Sequence, residues 1–215
     1  MAKISVFGGT GYAGNHIVRE AAGRGHTVTS YSRNVAEQQV DGVTYETGSV
    51  LDPAIRARAL AGADVVVLSI PPRGEMADRL QPTAAALAEE AALTGVRLAV
   101  VGGAGSLLTT EGGPRLVDTP EFPEAFTGEV LLLAGVLDQL RSSAPADLDW
   151  FFLSPAVTFG SHNPGEATGR YRIGGDVVVS DGNGLSAISG ADYALALVDE
   201  IETPAHSRAR FTVAY

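Results

Sequence analysis

Apolar residues in this chain fall into short continuous runs separated by stretches of helical spacing, and the two patterns alternate almost from end to end. Ile4-Ser5-Val6-Phe7 is a β-branched and aromatic run that predicts a strand. The stretch after it places Ile17, Val18, Ala21 and Ala22 on one helical face. Gly25 is a stop signal for that helix. His26 to Tyr31 then predicts a second strand and Val43 to Thr47 a third. Asp52 followed by Pro53 reads as the N-cap and first position of a short helix running to Ala61. Asp64 to Ile70 is apolar almost throughout, as expected of a parallel strand covered on both faces. An alanine-rich helix from Arg79 to Thr94 ends at Gly95, and Arg97 to Val101 is a fifth strand. Glu124 to Ser142 is a long helix with a Leu/Val face, and Leu148 to Leu153 a sixth strand.

This strand–helix rhythm predicts an α/β fold, a Rossmann-type doubly wound parallel sheet with helices on both faces. Such sheets bind ligands beyond the carboxyl ends of their strands, so the loops after residues 7, 31, 70, 101 and 153 should face the site. From Thr158 the rhythm changes. Pro164, Gly165, Gly169, Gly174 and Gly175 break the chain into short pieces. Val177 to Val179 and Leu185 to Ile188 flank Asp181-Gly182-Asn183-Gly184 and predict a hairpin. Ser189 should cap a helix through Ile201, with Asp192 at its third position, and Arg210 to Ala214 is a closing strand. Residues 1–215 thus read as one domain, with 158–189 a small C-terminal substrate lobe over the sheet edge.

The turn after the first strand carries the chemistry. Gly8-Gly9-Thr10-Gly11-Tyr12-Ala13-Gly14 joins a strand to a helix with the glycine spacing of a dinucleotide pyrophosphate site. Gly8 can make the tight turn, Gly11 can let the backbone approach the phosphates, and Gly14 can let the helix pack closely on the strand. The helix N-terminus offers unpaired N–H groups to the anion. A site that prefers NAD carries an acid at the end of the second strand, where it binds the ribose 2′-hydroxyl. No acid occurs from Thr27 to Ala36. Arg33 follows the strand instead, with a forked guanidinium suited to a 2′-phosphate, so NADP(H) is expected over NAD(H).

Composition removes several alternatives. With 215 residues, 45% of them apolar, the chain can fill a sizeable core. No apolar run approaches the ~18 residues of a membrane span, and Lys3 leads straight into the first strand, leaving no room for a signal peptide. A net charge of −10 argues against a nucleic-acid surface. There is no cysteine, and His16, His26, His162 and His206 lack metal-ligand spacing. A cytoplasmic protein without metal, membrane or nucleic-acid partner is the expectation. Of the 15 basic residues only Lys3 is a lysine, and it lies at the strand end away from the phosphates.

The glycine turn resembles that of the atypical short-chain dehydrogenase/reductases, and the whole chain is most similar to their compact NmrA-like and flavin-reductase-like members. Arg33, Asp52-Pro53, Gly102-Gly103-Ala104-Gly105-Ser106, Asp118 to Pro123, Ser154-Pro155-Ala156 and Ser189 to Ala194 carry the likeness. One departure matters. The superfamily's usual acid/base is a Tyr-x-x-x-Lys pair after strand five, and here no tyrosine occurs between Tyr45 and Tyr171 and no lysine after Lys3. Epimerase, dehydratase and isoflavone-reductase-like chemistry would therefore lack its catalytic group.

Reduction of a flavin, quinone or similar planar acceptor asks less, since the acceptor is already electrophilic and its protons can come from water. The resemblance and the sheet geometry imply that Ser69 and Ile70 line the nicotinamide ribose, that Ser154, Pro155 and Ala156 line the carboxamide, and that Gly102 and Gly103 allow close approach. Ser106 is the candidate hydroxyl for an acceptor carbonyl, and His162 a candidate proton donor. Phe122, Phe126, Phe159 and Tyr171 could stack on a flat acceptor, and Asp118 and Glu121 lie in a Gly/Pro-rich loop that could act as a lid. The alternative is a non-catalytic NADP(H) sensor of the NmrA-like kind acting on a protein partner, which needs the same glycines and Arg33.

Overall fold

The computed structural model describes residues 1–34 and 36–215. Strands β1 (Lys3–Phe7), β2 (Thr27–Ser32), β3 (Thr44–Thr47), β4 (Val65–Leu68), β5 (Arg97–Val101), β6 (Trp150–Ser154), β7 (Arg172–Gly174) and β8 (Ala209–Ala214) form one sheet in the order β3-β2-β1-β4-β5-β6-β8-β7. Every pairing is parallel except β7 with β8. The expected doubly wound α/β architecture is present. The strand order reverses between β1 and β4, which puts the switch point of the sheet at the end of the glycine-bearing strand.

Alternation along the strands sends side chains to two cores. Ile4 and Val6 of β1 join Ile17, Val18 and Ala21 of α1 (Tyr12–Gly23), and Tyr193, Leu197 and Val198 of α5 (Gly190–Glu202). On the other face, Trp150 and Phe152 of β6 pack with α2 (Pro53–Leu60), α3 (Leu80–Thr94) and α4 (Glu124–Ser143). Local signals set the helix ends. An Asp52 carboxylate oxygen accepts from the Ala54 N–H at 2.8 Å, and Gly95 closes α3 at φ 69°. The second strand begins at Thr27 rather than His26, because the His26 N–H is used in closing α1 on Ala21 O. Leu148 likewise forms a turn on Pro145 O before β6 starts.

The expected hairpin after β7 does not form as a ladder. Asp181 accepts the Asn183 and Leu185 N–H groups on its carboxylate, which closes the turn locally. Its arms then go to different neighbours, Val177 to Leu108 and Ala187 to Thr158. The strand that segment 158–189 does contribute is β7, three residues with no alternation to announce them.

Two buried carboxylates hold the C-terminal third in place. Glu200 receives the Arg97 guanidinium at 2.7 Å and faces His206 Nδ1 at 2.7 Å, joining α5 to β5 at the amino edge of the sheet. At the carboxyl edge Asp192 accepts from Thr168 N–H (2.7 Å), Gly169 N–H (2.8 Å) and the Tyr215 hydroxyl (2.6 Å), so the 168–169 turn and the chain end share one anchor. Burial opposes ionisation of Asp192, yet the bonds from Tyr215, Thr168 and Gly169 outweigh it and hold the carboxyl below the ordinary carboxylate range. A carboxyl depressed in the folded state stabilises the fold above its unfolded pKa, and that contribution is lost as pH falls through the folded value. Asp192→Asn should therefore cost roughly 2 kcal/mol at pH 7, read as a lowered urea midpoint. The gap to wild type should narrow as both proteins are taken below the ordinary carboxylate pKa.

Candidate functional site

Gly8 ends β1 with φ 83° and takes an N–H···O bond to Tyr31 O at 2.9 Å, while its own carbonyl accepts from the Gly11 N–H at 2.9 Å. A Cβ at Gly8 would lie 2.1 Å from Ser69 O at the end of β4, and one at Gly14 would lie 2.1 Å from Gly8 O. Both obstacles are backbone, so neither can give way. Gly9 has its own reason, since a Cβ there would meet Ser30 Oγ at 2.3 Å. Gly11 is the N-cap of α1, with no side-chain cap and no acid in the first turn. The first N–H groups of α1, from Tyr12, Ala13 and Gly14, thus lack intrahelical acceptors and point out beside exposed Thr10 and Gly11. Such a helix end is complementary to a phosphate.

Tyr12 contributes its backbone here and uses its side chain elsewhere. Its hydroxyl accepts from Gly190 N–H at 3.1 Å and donates to Pro164 O at 3.3 Å. Its ring packs edge-on against His16 and Phe159. The glycine turn is in this way tied to α5 and to the 159–164 segment.

On the β2 side, Arg33 is exposed, and its guanidinium faces Glu75 at 3.9 Å. Glu75 comes from the segment after β4, so the partner of Arg33 lies on a distant part of the chain that no local pattern announces. The same loop is tied to α4 by the Arg73–Glu129 pair at 2.7 Å.

On the other side of the switch point the predicted residues line up along the sheet edge. Ser69 is buried after β4 with Ile70 beside it, Gly102 and Gly103 follow β5, and Ser154, Pro155 and Ala156 end β6, all three buried. Gly102 has a packing reason, since a Cβ would strike the Phe152 ring at 2.1 Å. The Ser106 and Ser154 hydroxyls both accept from Arg210 Nη1, at 3.4 and 3.3 Å. Arg210 had a visible signal, a lone charge in the closing apolar strand, which the reading of that strand passed over.

His162 stands apart from this cluster. It occupies an exposed turn closed by Asn163 N–H on Gly160 O at 3.0 Å, just before the Pro164 carbonyl that Tyr12 holds. The aromatic candidates also separate. Phe159 packs between the Tyr12 and Tyr193 rings, and Tyr171 donates to Asp199 at 2.5 Å well down α5. Phe126 is exposed and Phe122 half-buried. In the 111–123 loop Asp118 pairs with Arg115 at 2.7 Å, which holds its carboxyl below the ordinary range, and Glu121 is exposed. Val117 N–H to Gly105 O and Leu116 N–H to Leu107 O bind this loop to the one carrying Ser106.

Burial pushes the pKa of Tyr12, Tyr31, Tyr171, Tyr193 and Tyr215 up, and the neighbouring Asp199 and Asp192 push Tyr171 and Tyr215 further in that direction. Tyr193 is spent on Leu153 O at 2.8 Å. Among the described residues no group of three or more His, Asp or Glu could hold a metal ion, and no helix is long and apolar enough to cross a membrane.

Comparison with known proteins agrees with this geometry. The chain is 37% identical to the uncharacterized protein YwnB of Bacillus subtilis, over 98% of this chain and 97% of that one. A crystal structure from Burkholderia pseudomallei, of a protein provisionally described as exported, is 42% identical with a TM-score of 0.88, and the match covers 100% of both chains. Another from Streptococcus pneumoniae, provisionally described as an NADH-flavin reductase, is 35% identical with a TM-score of 0.85, over 100% of this chain and 99% of that one. A family profile described as NAD(P)H-binding matches residues 8–204. With the uncapped helix and its glycine cradle in place, the chain belongs to the NAD(P)H-binding family.

Proposed function

We propose that this protein is an NADPH-dependent reductase of a flavin, quinone or similar planar acceptor. The observation that carries the reading is the uncapped α1 N-terminus, seated on Gly8 at the switch point, in a chain whose one lysine is Lys3. The N–H groups of Tyr12, Ala13 and Gly14 would hold the pyrophosphate, with Thr10 and Gly11 beside it, and Arg33 would take the 2′-phosphate in exchange for Glu75. Ser69, Ile70, Gly102, Gly103 and Ser154 to Ala156 would line the nicotinamide half. The nicotinamide, when bound, supplies a hydride to the acceptor.

The chain's own residues orient the reactants and exclude water, which suffices for an electrophilic acceptor. Ser106 would hydrogen-bond the acceptor, and segment 158–189 would form the lobe beside it. His162, in its exposed turn, would be the candidate proton donor to the acceptor. The reductase description of the Streptococcus pneumoniae neighbour supports the reaction class. Its named cofactor is NADH, so Arg33 is what supports NADPH here. A cytoplasmic setting, where a reduced nicotinamide is available, goes with this reading.

Following NADPH absorbance with FMN, FAD, riboflavin and simple quinones should show acceptor-dependent oxidation well above the uncatalysed rate. Tight NADPH binding without oxidation across that panel would instead assign the sensor role and direct attention to a protein partner. Arg33→Ala should raise the Kd for NADPH about tenfold or more, the worth of a lost charge-assisted contact. The Kd for NADH should stay within about twofold, and parallel titrations of the two nucleotides check it.

A further inference from the structure

We propose that Arg210 is a positioning residue that presents the Ser106 hydroxyl as a hydrogen-bond donor to the acceptor. The inference rests on the reductase reading. Arg210 lies in β8 opposite Phe152 of β6, and its side chain is 2% exposed. Its Nε donates to Asp176 Oδ1 at 2.5 Å and its Nη2 also contacts that carboxylate, which Arg141 of α4 reaches at 2.6 Å. With Nε and Nη2 engaged by Asp176, Nη1 is left for the two serines, at 3.4 Å from Ser106 Oγ and 3.3 Å from Ser154 Oγ. Nη2 also approaches the Ser106 carbonyl at 3.5 Å and the Asp176 carbonyl at 3.4 Å. One rigid fork therefore touches the Ser106 loop, the end of β6 and the chain after β7.

The chemistry of the guanidinium gives this placement its direction. It has donors and no acceptor, so a hydroxyl bound to it must accept and turn its own proton elsewhere. Ser106 Oγ makes no donated bond to a described residue, which leaves its proton for a group outside the protein. The loop is held from behind as well, with Leu108 N–H on Asp176 O at 2.8 Å and Val178 N–H on Leu108 O at 3.0 Å. A buried arginine is a costly way to fill space in a strand, and an apolar side chain would fill it with less desolvation. Fixing a donor at the edge of the site gives the charge a task that packing does not.

The test is a double-mutant cycle of Arg210→Lys and Ser106→Ala. For each variant, kcat and KM are measured for the best acceptor, alongside the Kd for NADPH and the quenching of riboflavin fluorescence in the presence of NADP⁺. Arg210→Lys should lower kcat/KM for the acceptor about tenfold, weaken riboflavin binding and leave the NADPH Kd within about twofold. In the Ser106→Ala background the same substitution should have no further effect. Should Arg210→Lys not fold, Asp176→Asn, which loosens the fork while leaving it charged, should act in the same direction. An equal loss in both backgrounds, or a parallel loss of NADPH affinity, would overturn the positioning role and reduce Arg210 to a structural part. So would an Arg210→Lys enzyme that keeps full activity. A wild-type protein that neither oxidises NADPH with any acceptor nor binds riboflavin would remove the reductase reading itself, and this inference with it.

Discussion

A single backbone oxygen, that of Gly8, governs the approach of α1 to the end of β1. It accepts the Gly11 N–H, and it sits where a side chain on residue 14 would have to be. Because Gly14 yields that space, the first turn of α1 begins directly over the end of β1, at the point where the strand order reverses. Gly8 in turn needs its positive φ and the absence of a Cβ, since Ser69 O of the neighbouring strand crowds it from below. Three chain segments meet within the thickness of a backbone, and the uncapped helix end is the consequence. A side chain at either glycine would push the helix outward and move the N–H groups that a pyrophosphate needs.

From that point the carboxyl edge divides into two halves with different physics. Toward β2 the groups are exposed and charged, Arg33 against Glu75, and an incoming phosphate can displace the carboxylate at small cost. Toward β6 the groups are hydroxylic, Ser154 buried and Ser106 half-buried, and both accept from Arg210, which Asp176 holds from behind. The C-terminal segment is tied to the glycine turn through Tyr12, whose hydroxyl joins Gly190 and Pro164, and is held together by Asp192, which gathers Thr168, Gly169 and Tyr215. The glycine turn thus also contributes to stability, since the Tyr12 side chain that braces residues 164 and 190 belongs to it.

What the sequence disclosed follows the range of each interaction. The glycine spacing, the Asp52 and Ser189 caps and the apolar run of β4 are local patterns, and the fold read from them is the one observed. The hairpin misled because its turn chemistry is real, satisfied by Asp181 itself, while its arms obey partners far away in sequence. Glu75 escaped notice because its relation to Arg33 exists only across the switch point. Arg210 could have been singled out as a charge in an apolar strand, but the two serines it serves lie 56 and 104 residues away. Residue type suggested chemistry for His162 and Tyr171, and the structure holds one in an exposed turn and the other against Asp199.

The nucleotide site is assigned to the α1 N-terminus, held against Gly8. Titrating NADPH into Gly14→Ala protein shown to be folded by circular dichroism tests it directly, because the new methyl group displaces the helix end without touching Arg33 or the serines. Affinity should fall at least tenfold, about 1.4 kcal/mol, with NADH and NADPH weakened alike. Unchanged affinity in a folded Gly14→Ala protein would mean that the nucleotide binds elsewhere, and would contradict the assignment of the site.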